Sequence, residues 1–159
     1  MNIIQKILEL LGLKKQETPI IEAPKKIEEL HMVKKITMEE YLMNRAEFNK
    51  LSKEYQTNAL TTVERANKLL EAFGEYRKVN SGYRRPEDNA AAGGSKMSNH
   101  MKCSAIDLED KDKRLSEFIK TNIELVKDLE LWFESPEHTP TWLHAQIIPP
   151  KSGKRFFIP

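Results

Sequence analysis

The chain has 159 residues and a mass of 18.5 kDa, with 39% hydrophobic and 31% charged residues, which is room for one ordinary domain with tails. Its 26 basic and 24 acidic residues nearly cancel to a net charge of +2, which argues against a dedicated nucleic-acid binder and its basic stripe. One cysteine excludes a disulfide framework, no apolar run approaches the ~18 residues of a membrane span, and a mean hydropathy of −0.61 leaves part of the chain outside any core.

Residues 1–15 read as a short amphipathic helix with Ile3, Ile4, Ile7, Leu8 and Leu11 on one stripe. So short a helix needs a surface to lie on: its own domain, a protein partner or a membrane. Lacking a strong basic face, it suits a protein partner better than lipid. Lys6 and Glu9 interrupt the apolar start and no small-residue cleavage site follows, so a secretory signal is not expected. Residues 16–35, with Pro19 and Pro24, read as a linker, and the domain is expected over residues 36–159.

Thr37 to Glu40 form a capping box, with Ile36 and Tyr41 placed to staple the turn of a short helix reaching Arg45. Leu60, Val63, Asn67, Leu70 and Phe73 predict a second helix, closed by Gly74. Alternation at Val79, Ser81 and Tyr83 predicts a strand. Pro86 opens a helical turn through Ala92, which Gly93-Gly94 breaks. A strand follows in CSAIDLED, and Leu115, Phe118, Ile119, Ile123 and Val126 mark one long amphipathic helix. The tail predicts one or two strands, with Trp142, His144, Gln146 and Ile148 on one face. Helices first, then strands split by a helix, give an α+β domain with a mainly antiparallel sheet.

The chemistry-bearing residues are sparse. Of four histidines, His31 falls in the linker, while His100 precedes Asp107 by seven residues and His144 lies in Trp142-Leu143-His144. Two imidazoles and a carboxylate on rigid strands can hold zinc and leave a fourth position for water, whose pKa the metal lowers towards ~7. Neutral imidazole with a hard carboxylate suits zinc better than calcium or magnesium. Spacing alone leaves two readings open and favours the plainer one, a core role for His144 beside Trp142 and a turn or cap role for Asp107.

The stretch SGYRRPEDNAAAGGSKMSNHMKCSAIDLED resembles the motif region of the zinc D-Ala-D-Ala carboxypeptidases, a family that includes phage L-alanyl-D-glutamate endopeptidases. The resemblance rests on Ser81 to Arg84, on Ser98-Asn99-His100 through Ala105 and Asp107, and on Trp142-Leu143-His144. The closing TPTWLHAQ…PPKSGKRFFIP is similar to small phage-encoded members. It implies the hedgehog/DD-peptidase fold over residues 36–159, with zinc held by His100, Asp107 and His144. Arg84 would hold a substrate carboxylate or stabilise the anionic intermediate, in place of a surface pairing with Glu87 or Asp88. Ser98 would orient the loop or help bind substrate, and Gln146 could support the ligands from the same strand face.

Two positions depart from the family pattern. Its glycine between His and Asp is Cys103, which costs strain if the backbone there needs a positive φ; a buried, inert thiol is expected. The general base that many members carry three residues before the second histidine is replaced by Thr141. Glu134 and Glu137 are the candidates for a displaced base, with His138 as a proton donor; Glu134, at the end of an apolar segment, is preferred.

The resemblance implies zinc-dependent hydrolysis of amide bonds in peptidoglycan stem peptides by a phage cell-wall hydrolase. Such a protein is made in the host cytoplasm and released to the wall or packaged in the virion. The alternative is a virion structural protein built on a weakened peptidase fold and tethered to a phage partner through residues 1–15.

Overall fold

The structure, a computed structural model, describes residues 32–159. The amphipathic stripe of residues 1–15 and most of the expected linker lie outside the described residues.

Helix α1 (Met38–Leu42) starts at the expected capping box: Thr37 Oγ1 accepts from the Glu40 amide, and Glu40 Oε2 accepts from the Thr37 amide. It ends three residues before the expected Arg45, because Met43 and Asn44 turn left-handed, with φ of 55° and 57°. Helix α2 (Lys53–Phe73) is capped by Ser52 and closed by Gly74 at φ 85°. Its buried face is Ala59, Thr62, Val63, Ala66, Leu69 and Leu70, whereas Leu60, expected on that face, is 55% exposed. The helix turns its small Ala59 and Ala66 inward, which places Leu60 about 100° round the axis towards solvent. Asn67 instead ties the helix to the start of the domain, accepting from the Ile36 amide and donating to its carbonyl.

Strand β1 (Val79–Ser81) is followed by helix α3 (Pro86–Ala91), with Pro86 in the first turn and Gly93 at φ 67° beyond its end. A 3-10 turn at Asn99–Lys102 leads into strand β2 (Ala105–Glu109). The single long helix expected next is two, α4 (Arg114–Thr121) and α5 (Ile123–Asp128). The break is local: Thr121 Oγ1 donates to the Glu117 carbonyl and Asn122 Nδ2 to the Phe118 carbonyl, while Asn122 leaves the helical region (φ −115°, ψ 51°). The apolar stripe survives the break, with Leu115, Ile119 and Val126 fully buried.

Strands β3 (Trp132–Glu134), β4 (Trp142–Gln146) and β5 (Phe156–Phe157) complete a five-stranded sheet of order β1-β2-β4-β3-β5. Every pairing is antiparallel except β3 with β5. Ile148, expected on the β4 face, lies past the strand's end. One sheet face is core, with Ile106, Ala145 and Phe133 abreast and fully buried. Among the described residues no helix is long and apolar enough to cross a membrane.

Cys103 has the positive φ that glycine would take, 56°, and its side chain is fully buried in the core. Burial pushes its thiol up to about 12, so it stays protonated and unreactive at neutral pH. Iodoacetamide at pH 8 is therefore expected to leave the folded protein unmodified and to alkylate Cys103 fully in denaturant, as read by intact mass. Rapid labelling of the folded chain would contradict this packing.

Candidate metal centre

One row of the sheet assembles the site. Directly opposed residues on neighbouring strands project from the same face. Ser81 on β1 stands opposite Asp107 on β2, and Asp107 opposite His144 on β4. The β3–β4 pairing, Trp132 with Gln146 and Phe133 with Ala145, carries on to set Glu134 beside His144. Glu134 in turn faces Phe157 on β5. Residues far apart in sequence thus project side by side from rigid strands.

His100 joins the row from the 3-10 turn. Ser98 Oγ caps that turn by accepting from the His100 amide, and His100 Nδ1 lies 2.7 Å from the Gly82 carbonyl. A carbonyl only accepts, so Nδ1 carries the proton and Nε2 is left with its lone pair. That Nε2 is 3.3 Å from Asp107 Oδ1, and His144 Nδ1 is 2.8 Å from the same oxygen. The two imidazoles meet edge to face, 5.1 Å between centroids, and Phe157 packs against His144 at 6.3 Å.

His100, Asp107 and His144 are buried, and one ligand atom from each lies within 4.8 Å of the others. Ring nitrogens gathered round a carboxylate oxygen call for a proton or a metal cation between them. Burial works against charge on Asp107, yet the hydrogen bonds and charges of His100 and His144 outweigh it and hold the carboxyl well below its usual range. Burial likewise opposes charge on His144, but Asp107, then Glu134 and Gln146, raise its pKa. The donor set, two imidazoles and one carboxylate, fits a tetrahedral zinc ion with one position open.

Arg84 sits behind the carboxylate: its Nη2 donates to Asp107 Oδ2 at 2.9 Å and its Nε to Ser81 Oγ at 2.7 Å. The alternative of a surface pair with Glu87 or Asp88 belongs to its neighbour Arg85, which pairs with both. Arg84 Nη1 has no hydrogen-bond partner among the described residues. A cleft of about 420 Å³ opens over the row, lined by Arg84, Ser98, His100, Asp107, Glu134 and His144, with Asn99, Trp142 and Gln146 on its walls.

Among the candidate bases only Glu134 reaches this cleft. Glu137 is exposed, bonded to the Ser135 hydroxyl and near Lys120, and His138 is exposed in the same loop. Thr141 is exposed and uses its carbonyl to accept from the Asp110 amide. Sequence reading missed Asn99, the Gly82 carbonyl and Phe157 as parts of the site. Gly82 and Asn99 lay inside the motif stretch as spacers, and Phe157 lay in the closing segment with no role assigned to it.

The fold, the donor set and the cleft suit a metal-dependent hydrolase. The sequence model of the peptidase M15 family matches residues 11–128, most of the chain. The chain belongs to the peptidase M15 family, which supports metallopeptidase activity on peptidoglycan-type substrates. The match contains His100 and Asp107 and ends before Glu134 and His144, which the sheet pairing brings to the same row. Among curated proteins none matches the chain.

Proposed function

We propose that the chain is a zinc-dependent hydrolase of amide bonds in peptidoglycan stem peptides, with zinc held by His100, Asp107 and His144. The observation that carries this reading is the convergence of those three ligand atoms in a cleft that also presents Glu134 and Arg84. Zinc held there supplies Lewis-acid polarisation and lowers the pKa of water. Glu134 takes the proton of the attacking water and passes it to the leaving amine, the work of a general base and then acid. Arg84 is fixed through Ser81 and Asp107, leaving Nη1 to bind a substrate carboxylate or the developing oxyanion. Ser98, on the cleft wall, is the candidate substrate contact from the turn.

The phage assignment rests on the likeness of the closing segment to small phage members, with release from the host cytoplasm to the wall or packaging in the virion. Residues 1–15 are the proposed contact to a phage structural protein.

Purified muropeptides incubated with the protein, with and without a chelator, test the reading by mass spectrometry. Fragments that vanish on chelation and return with zinc are expected, and their masses identify the bond cut. A folded, zinc-loaded sample that yields no fragments would overturn hydrolysis and favour the virion structural role.

A further inference from the structure

We propose that Gln146, braced by the Ile148 carbonyl and by Asn99, is a positioning residue that keeps the proton of His144 on Nε2 and so turns Nδ1 towards the metal centre. The inference rests on the metal-centre reading and adds to it the group that sets one ligand's orientation. Gln146 is 5% exposed and follows His144 by two residues on β4, so both side chains leave the same sheet face. Its amide has only one possible orientation. The Ile148 carbonyl accepts a hydrogen bond from it, and a carbonyl cannot donate, so the amide nitrogen must lie on that side. The amide oxygen then faces inward, where Asn99 Nδ2 donates to it at 3.0 Å and His144 Nε2 approaches to 3.3 Å. An amide oxygen accepts only, so Nε2 of His144 carries a proton, and Nδ1, 2.8 Å from Asp107 Oδ1, is left to give its lone pair to a cation seated between them.

Both histidines are thus oriented by backbone carbonyls, His100 directly by Gly82 and His144 through Gln146 by Ile148. Asn99 makes the second relay a cross-brace, because it precedes His100 on the turn. Its own carbonyl accepts from the Ser104 amide at 2.9 Å, and the Ser104 carbonyl accepts from the Ile147 amide at 3.0 Å. The segments bearing the two imidazoles are therefore tied to each other outside the metal centre as well as across it. With Gln146 replaced by an apolar side chain, the buried Nε2–H would lose its acceptor and the ring its reason to keep Nδ1 inward.

The test compares Gln146→Leu with the unaltered protein by two readouts: zinc affinity, from competition with a chromophoric chelator, and solvent exchange of the His144 Nε2–H, from nitrogen-15 spectra of histidine-labelled protein. Expected are a zinc affinity about 10–100-fold weaker, as for other partners of metal-bound histidines, and an Nε2–H that exchanges too fast to observe. A folded Gln146→Leu protein that binds zinc within about twofold of the unaltered protein, or that keeps a slowly exchanging Nε2–H, overturns the proposal. If Gln146→Leu does not fold, Asn99→Ala decides by the same exchange measurement: acceleration supports the brace and an unchanged rate overturns it. Should the unaltered protein bind no zinc, the metal-centre reading fails, while Nε2–H exchange in metal-free protein still tests the part played by Gln146.

Discussion

Glu134→Gln is expected to lower turnover of a peptidoglycan peptide by about 10²–10⁴-fold while leaving zinc content and melting temperature unchanged. Gln keeps the shape and a hydrogen-bonding carbonyl but cannot take a proton. Glu134 is half-buried at the end of β3, in the row next to His144, and its charge is one of the influences that raise the His144 pKa. It is not one of the three groups whose ligand atoms converge, so its loss should spare metal binding. Zinc per chain by elemental analysis and initial rates at saturating substrate separate the two effects. Full activity in Glu134→Gln would mean that another group takes the proton of the attacking water. Loss of zinc together with activity would instead make Glu134 a ligand.

Much of this site was readable as residue types, and little of it as geometry. Ser81, Arg84, Ser98, His100, Asp107 and His144 stood in motif stretches, and the structure gathers the last five round one cleft, with Ser81 holding Arg84 from beside it. Which of Glu134, Glu137 and His138 would reach it depended on register. A strand shift of one residue sends every side chain to the opposite face, and the loop joining β3 to β4, though it holds a Ser135-Pro136 turn, is too long for a turn type to set the register. The helix at Asn122 shows the same limit on a smaller scale. Apolar spacing runs unbroken from Leu115 to Val126, so periodicity reads one helix, while two side-chain bonds to backbone carbonyls divide it. Leu60 failed for another reason: hydrophobicity favours burying the larger side chain, but close packing of α2 selected the face with Ala59 and Ala66. Cys103 ran the other way. Its backbone does take the positive φ a glycine would, and the fold accepts the strain and uses the thiol as core.

Gly82→Ala should be the most damaging single-methyl change near the metal centre. A Cβ at Gly82 would stand 1.9 Å from the Tyr41 carbonyl oxygen, which is backbone and already accepts from the Tyr83 amide. Tyr41 cannot retreat, because its side chain is fully buried and its hydroxyl donates to the Ala105 carbonyl at the start of β2. The β1 end must therefore move, and with it the Gly82 carbonyl that keeps the proton of His100 on Nδ1. Overpacking of this kind costs about 1–3 kcal/mol. For a domain of this size that lowers the melting temperature by roughly 3–10 °C. Zinc affinity should fall by about 10–100-fold, since an oriented histidine loses its partner. Gly74→Ala is the control: it places a side chain at φ 85° with open space round it, so it strains the end of α2 and lowers melting without touching zinc affinity. If Gly82→Ala loses stability in step with Gly74→Ala and keeps its affinity, the Gly82 carbonyl is not what orients His100. A loss of affinity confined to Gly82→Ala, at matched melting temperatures, would trace metal binding to one backbone oxygen that no side-chain motif records.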